Sequence, residues 1–186
     1  MKFRTTKEKL FSALNETNKI IPIRTTLPIL SCVLIELKNN QAVLTATDLE
    51  QTIVTKIDAE VSKEGVFAVP GGKFLEIISA LPSGPIEISA TEEKEIEINS
   101  PKGAYKIIGK EPSEYPDTPQ LNQEQKIKLK GKELLDIINN TLYAVSKDDL
   151  KPALCGVYLN LDKTNITAVS TDGHRLVKYQ KEIEEK

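Results

Sequence analysis

Apolar and polar positions along the first sixty residues predict a strand, one helix and three further strands. Thr5 and Glu8 have the spacing of a capping box, and apolar residues then recur at helical intervals. Pro22 and Pro28 bracket a segment that a helix cannot continue through. Period-two alternation, typical of strands, follows in the runs 33–38, 42–46 and 53–57. This order predicts a β-α-β-β-β unit over about residues 1–62.

The same order of patterns recurs over residues 63–110 and again after residue 126. A Pro-rich stretch with few apolar residues, 109–125, separates the second occurrence from the third, which predicts an interdomain linker. The sequence therefore predicts a complete domain over residues 1–121, made of two halves. It also predicts a third unit of the same kind over residues 122–186, beyond the linker.

An internal repeat connects the first and third units. An ungapped shift of 124 residues places Leu10 on Leu134, and the pair Thr47-Asp48 on Thr171-Asp172. A Thr-Asp pair between two strands is first a turn device, since Asp accepts hydrogen bonds from the backbone shortly after it. Asp172-Gly173 also has the residue types of a two-residue hairpin turn.

Composition and charge narrow the function classes only slightly. The chain has 186 residues, of which 39% are hydrophobic and 28% are charged, and its formal net charge is −2. No apolar run approaches the roughly 20 residues that span a bilayer, and the N-terminus lacks the apolar segment of a secretory signal. Cys32 and Cys155 are isolated, so no disulfide framework or zinc ribbon is indicated. We predict a cytoplasmic protein with no cofactor, no metal and no membrane partner.

The stretch Ser170–Leu176, STDGHRL, holds the only histidine and raises the question of catalysis. Asp172 and His174 could support acid–base chemistry, but the sequence has no GxSxG motif and no Gly-rich phosphate loop. The glycine pair at 71–72 lacks the Lys and Ser or Thr of a Walker loop. The residues therefore favour a non-catalytic protein.

Five motifs together resemble one known family. They are RTTLPIL (24–30), TDLE (47–50), EYP (114–116), LYAVSKDD (142–149) and STDGHRL (170–176). In this order and spacing they are similar to the bacterial sliding clamp family, the beta subunit of DNA polymerase III. The resemblance implies the α+β DNA clamp fold, with repeated β-α-β-β-β units and helices on one face of antiparallel sheets.

The resemblance also implies a function and partners. Family members are non-catalytic processivity factors, which form homodimeric rings around duplex DNA in their full-length form. They tether the replicative polymerase, and they bind the clamp loader and other proteins that carry a clamp-binding motif. The alternative is a stand-alone protein-interaction module of clamp-like fold.

The resemblance also implies which residues of this chain form functional sites. For DNA contact it implies Arg24, Lys73, Lys147 and Lys151. For a groove that binds a partner peptide it implies Leu154, Thr171, Gly173, His174, Arg175 and Leu176. For the subunit interface it implies Lys73, Phe74, Tyr105 and Ile107.

The number of repeated halves departs from the family pattern. Clamp chains of the family carry six halves, and this chain carries three, so we expect it to be part of a longer chain. The third half would then show an exposed apolar face and tend to self-associate. Because the rest of the family's groove lies in segments outside this chain, we also expect only a half-groove, with little or no measurable affinity for a peptide.

Overall fold

The protein is described here as a computed structural model covering residues 1–117, 129–162 and 165–182. It divides into two compact units, Met1–Gln120 and Leu121–Lys186. The strands of unit 1 are β1 Lys2–Thr6, β2 Cys32–Lys38, β3 Gln41–Thr47, β4 Thr52–Asp58, β5 Glu60–Lys63, β6 Gly65–Pro70, β7 Pro85–Ala90, β8 Glu95–Ser100 and β9 Gly103–Ile108. Its helices are α1 Lys7–Thr17 and α2 Gly71–Ala80. Unit 2 contains α3 Gly131–Thr141, β10 Tyr158–Leu161, β11 Asn165–Thr171 and β12 Leu176–Glu182.

Antiparallel pairing joins the strands of unit 1 into two sheets, in the orders β5-β1-β7-β8-β9 and β4-β3-β2-β6. The predicted α+β class is confirmed. The two β-α-β-β-β halves are interlocked, because β1 pairs with β7 of the second half and β6 pairs with β2 of the first. Neither half of unit 1 could therefore form its complete sheet without the other.

The start of α1 differs from the sequence expectation by one residue. The N-cap is Thr6, whose hydroxyl oxygen accepts a hydrogen bond from the Lys9 N–H at 3.5 Å. Thr5 is instead buried in β1, where its hydroxyl donates to the Asp58 carbonyl at 3.2 Å. The apolar face of α1 packs into the main core of unit 1, which also receives α2 and strands of both sheets.

Part of the predicted linker belongs to the body of unit 1. Tyr115 is 7% exposed and packs in a cluster with Leu30, Cys32 and Ala68. Its phenol donates hydrogen bonds to the carbonyls of Cys32 at 3.3 Å and Thr45 at 3.1 Å. The interpretation of residues 109–125 as a linker is wrong as far as Tyr115, because this aromatic ring fills a pocket on the sheet.

Unit 2 has a smaller core built on a three-stranded sheet of order β10-β11-β12. Ile137 of α3 packs on Ile166 and Ala168 of β11, with Val157 and Tyr179 at the margin. The strand predicted near Ile127 lies outside the described residues. Among the described residues, β10 pairs only with β11, so its other edge is open.

Candidate functional site

The turn between β11 and β12 contains most of the residues predicted for a peptide groove. Thr171 pairs with Leu176, so the connection is the four residues from Asp172 to Arg175. The prediction of a two-residue hairpin turn is therefore wrong. The Thr171 hydroxyl accepts from the Gly173 N–H at 3.1 Å and donates to the Arg175 carbonyl at 2.7 Å, which closes the longer loop.

Asp172 organises this turn through its carboxylate. One oxygen, Oδ1, accepts hydrogen bonds from the main-chain N–H groups of His174 and Arg175, each at 3.0 Å. The other, Oδ2, accepts from Nε of the Arg175 guanidinium at 2.9 Å. These bonds favour the ionised carboxylate, the main-chain N–H of Arg175 first, and they lower the pKa of Asp172 to about 2. The structural role predicted for Asp172 is confirmed.

The Arg175 guanidinium contacts both the turn and the segment after α3. Besides its contact with Asp172, one terminal guanidinium nitrogen donates to the Tyr143 carbonyl at 2.6 Å. The guanidinium also lies over the Tyr143 ring, 5.7 Å from its centroid. These contacts make Arg175 a residue that fixes the turn to the segment after α3. His174 and Leu176 are exposed as well, and no contact of this kind holds their side chains within the described residues.

The corresponding turn of unit 1 has the same hydrogen bonds without the arginine. Asp48 Oδ1 accepts from the N–H groups of Glu50 at 3.0 Å and Gln51 at 2.7 Å. The residue after the Asp has positive φ in both copies, +89° at Gly173 and +80° at Leu49. Glycine adopts this conformation freely and leucine does so under strain, so Gly173 is explained by backbone conformation.

Leu154 lies at the same end of the three-stranded sheet as the turn. Its N–H donates to the Lys151 carbonyl at 2.9 Å, and its carbonyl accepts from the Ser146 N–H at 2.8 Å. Leu154 is half-buried, whereas Leu176 is 66% exposed. The structure therefore places the predicted groove residues at one end of unit 2, where apolar side chains accompany a rigid polar turn.

The geometry of Asp172 and His174 does not form a catalytic dyad. The Asp172 carboxylate contacts the main-chain N–H of His174 and not the imidazole, so it does not orient that ring as a base. No group of three or more His, Cys, Asp or Glu side chains within the described ranges is arranged to hold a metal ion. In the same ranges, no helix is long and apolar enough to cross a membrane.

The residues predicted to contact DNA are all at the surface. Arg24 is exposed in the loop between α1 and β2, and Lys147 and Lys151 are exposed in the equivalent loop of unit 2. Lys73 is exposed on α2. No ion pair within the described part of the chain involves any of these four side chains. Their charges are therefore available to an anionic partner.

The predicted subunit interface is only partly accessible. Tyr105 is exposed and Ile107 is half-buried on β9, which pairs only with β8 in the part of the chain that the structure describes and is an edge strand there. Phe74 is fully buried in the main core. Its assignment to an interface is wrong for this structure, since the α2 stripe to which it belongs faces inward.

Sequence reasoning missed two aromatic residues of the site region. Tyr143 anchors Arg175, and Tyr115 fills the pocket beside Leu30, the residue of unit 1 that aligns with Leu154. Both lie in motifs that the sequence singled out, LYAVSKDD and EYP. Their partners are 32 and 83 residues away along the chain, so no local pattern reveals them.

Comparisons with known proteins agree with this organisation. A family model for the N-terminal domain of the DNA polymerase III beta subunit matches residues 1–119, and one for its central domain matches residues 128–186. A beta sliding clamp of Staphylococcus aureus is 32% identical over 193 aligned residues, which cover 100% of this chain and 51% of that protein. The chain thus spans about half the length of the curated relatives it matches.

Solved structures give the same result. The beta subunit of DNA polymerase from Streptococcus pyogenes is 28% identical, with a TM-score of 0.94 over 100% of this chain and 51% of its own. A sliding clamp of Pseudomonas aeruginosa, solved bound to griselimycin, is 26% identical, with a TM-score of 0.92 over 99% of this chain and 50% of its own. The predicted clamp fold is confirmed, and the chain belongs to the DNA polymerase III beta subunit family.

Proposed function

We propose that this chain is part of a sliding clamp, a non-catalytic processivity factor that encircles duplex DNA and tethers the replicative polymerase. The match of two consecutive beta-subunit domain models along the chain carries the proposal. In this proposal residues 1–121 form the first clamp domain and residues 122–186 the first half of the second. The working form is a homodimeric ring in the bacterial cytoplasm.

The net charge of the chain is consistent with a ring that binds DNA with low affinity. A protein that depends on phosphate neutralisation for its affinity usually has an excess of basic residues, and this chain carries −2. A closed ring needs only a few mobile cationic contacts on its lining, because topology keeps it on the duplex. Arg24, Lys73, Lys147 and Lys151 supply unpaired cations of this kind.

Partner proteins are proposed to dock on the turn of unit 2. Exposed Leu176 and half-buried Leu154 offer apolar contact, and exposed His174 offers a hydrogen-bonding imidazole. The turn needs little reordering on binding, because Asp172 and Arg175 already hold its backbone. The expected ligands are clamp-binding peptides of the polymerase, the clamp loader and other replication proteins.

A chemical-shift titration tests the docking site. The unlabelled probe is a clamp-binding peptide from a replicative DNA polymerase, added to the isotope-labelled 186-residue chain. We expect weak binding, in the millimolar range, with shifts concentrated at Leu154, Gly173, His174 and Leu176. The matched control is the unit 1 turn, Thr47–Thr52, whose resonances should not move.

Three results would count against this proposal. Shifts concentrated at residues other than Leu154, Gly173, His174 and Leu176, or no shifts at millimolar peptide, would contradict the docking site. Micromolar affinity would contradict the half-groove, since this chain would then hold enough of the site by itself. The variant Leu176→Ala should abolish the peptide shifts without altering the shifts of the core residues.

A further inference from the structure

The two most exposed large apolar side chains among the described residues lie in the same loop of the two repeat copies. Ile23 is 101% exposed in the loop between α1 and β2, and Leu150 is 90% exposed in the loop between α3 and β10. The other exposed large apolar residues reach at most 67%. The repeat places Ile23 on Lys147 and Leu150 on Thr26, so the two positions are not equivalent, but each copy of the loop carries one such side chain. A single exposed aliphatic residue needs no explanation, whereas one in each copy of the loop does.

Both loops hold their apolar tips in defined turns. In unit 1 the Thr25 hydroxyl accepts from the Leu27 N–H at 3.0 Å and donates to the Leu27 carbonyl at 3.2 Å. In unit 2 Asp148 Oδ1 accepts from the N–H of Leu150 itself at 3.1 Å. These bonds fix the backbone at Leu150 itself and, in unit 1, from two residues after Ile23 onward, which limits the conformational entropy that the loops lose when the tips meet a ligand.

Cations accompany both tips. Arg24 follows Ile23 directly, and Lys151 follows Leu150, with Lys147 three residues before it. None of these cations forms an ion pair in the described ranges. An aliphatic side chain beside a free cation suits the minor groove of duplex DNA. Apolar side chains pack there against sugars and bases, and the negative electrostatic potential of the groove attracts Arg or Lys.

Shape favours DNA over a protein partner. Protein-binding hot spots are clusters of aromatic residues and arginine set in a patch, whereas each tip here is one aliphatic side chain that projects alone. A narrow concave receptor suits such a tip, and the minor groove of B-DNA is about 6 Å wide. We propose that Ile23 and Leu150 are apolar contacts to the DNA minor groove, which act beside the cationic contacts of Arg24 and Lys151.

The two tips are not expected to contribute equally to the affinity for DNA. Asp148 and Asp149 directly precede Leu150, and both are exposed, so their charges oppose the approach of phosphates. No acid adjoins Ile23 in the Pro22–Pro28 segment. Ile23 is therefore expected to contribute more than Leu150.

Salt dependence separates an apolar contact from an ionic one. The experiment measures affinity of the 186-residue chain for fluorescent duplex DNA by anisotropy, from about 50 to 200 mM salt. Ile23→Ser should weaken binding roughly threefold to tenfold with an unchanged salt slope, since it removes one apolar contact and no charge. Arg24→Ala should instead reduce the slope by about 0.9, the value for one lost phosphate contact. Ile108→Ser, on exposed β9, is the matched control and should bind as the unaltered chain does.

The outcomes distinguish this inference from the function on which it rests. If the unaltered chain binds DNA saturably and Ile23→Ser binds equally well, the inference fails while the DNA role stands. If the unaltered chain shows no saturable DNA binding, the inference fails, whereas the clamp proposal stands, because in that proposal topology and not affinity keeps the ring on the duplex. A loss of polymerase-peptide binding with unchanged DNA affinity would assign the tips to a protein partner and also overturn the inference.

A measurement on the unaltered chain removes any dependence on how the variants fold. The δ-methyl resonance of Ile23 should shift on addition of duplex DNA, whereas that of Ile108 should not. An unmoved Ile23 methyl in a chain whose Arg24 resonances do shift would contradict the proposal.

Discussion

Leu37 in β2 and Leu161 in β10 occupy the same position in two copies of one repeat, yet Leu37 is 1% exposed and Leu161 is 45% exposed. The difference comes from their neighbours. Strand β2 lies between β3 and β6, whereas β10 has only β11 beside it in the described ranges. The helices differ in the same way, since Leu10 of α1 is buried and its equivalent Leu134 in α3 is exposed.

The turns of the two copies, in contrast, are almost the same. Thr47 and Asp48 make the bonds that Thr171 and Asp172 make, with matching partners. A turn of this kind is encoded by side chains that bond to backbone within a few residues, so it forms in either context. Burial of an apolar face depends on a second β-α-β-β-β half, which unit 1 contains and the described part of unit 2 does not.

The largest predicted effect comes from truncating the equivalent leucines. Leu37→Ala should lower the free energy of unfolding of unit 1 by about 2–5 kcal/mol, because it leaves a cavity in the core. Leu161→Ala should cost unit 2 less than half as much, since that side chain is already partly in water. Hydrogen exchange read by mass spectrometry reports the two units separately. Equal losses would contradict the difference in burial.

The next largest effect concerns the buried hydrogen bonds of Tyr115 and their contribution to the stability of unit 1. Tyr115→Phe should destabilise unit 1 by about 1–3 kcal/mol, because two buried carbonyls, of Cys32 and Thr45, lose a donor. Burial raises the pKa of Tyr115 from 10.0 to about 12. The stability linked to this phenol is therefore present below pH 10 and lost as the pH rises towards 12.

Alkaline unfolding measures the phenol directly. The unaltered chain should lose stability of unit 1 between pH 10 and 12, and Tyr115→Phe should remove that part of the pH dependence. Tyr105→Phe, at an exposed position of β9, is the matched control and should leave the pH dependence unchanged. An identical alkaline curve for Tyr115→Phe would contradict the buried hydrogen bonds.

Exchanging the residue after the turn Asp should have opposite effects in the two copies. Leu49→Gly should stabilise unit 1 and Gly173→Leu should destabilise unit 2, each by about 1 kcal/mol, because L side chains are strained at positive φ. Chemical denaturation of each variant measures the change. A destabilised Leu49→Gly chain would show that contacts of the Leu49 side chain outweigh the strain.

The smallest predicted effect is on the stability of the unit 2 turn at low pH. The pKa of Asp172 is lowered from 3.8 to about 2, so the stability that it gives the turn is present above pH 3.8 and lost as the pH falls through 2. Asp172→Asn should remove this dependence, and Asp149→Asn, which changes the same charge outside the turn, should not. NMR titration of the His174 and Arg175 amides follows the effect. Amide shifts that do not respond to pH between 4 and 2 would contradict the carboxylate bonds.

Much of the fold could be predicted from the sequence because its strands are amphipathic. Period-two alternation located β2 to β4 and β7 to β9, and the internal repeat assigned the Thr-Asp turns. The pattern does not predict strand β5, because Glu60–Lys63 has one apolar residue and lies at the edge of its sheet. Edge strands carry little hydrophobic signal, since their outer side meets water.

The errors at the site have tertiary causes. The helical stripe alone places Phe74 in the core, and the resemblance led us to assign it to an interface instead. Tyr115 stands among prolines, which suggested a linker, but the pocket on β2 and β3 buries it. Arg175 stays a predicted partner contact, since its side chain is 58% exposed, and only the structure shows that Asp172 and Tyr143 also hold its guanidinium.

Residue-resolved hydrogen exchange of the 186-residue chain tests the contrast between the two copies most directly. Amides of β2 should be among the slowest to exchange, because the strand is paired on both sides. Those amides of β10 that point away from β11 should exchange at rates close to those of an unfolded chain, unless chains associate through this edge. Protection of β10 equal to that of β2, in a sample that chromatography shows to be monomeric, would contradict the account.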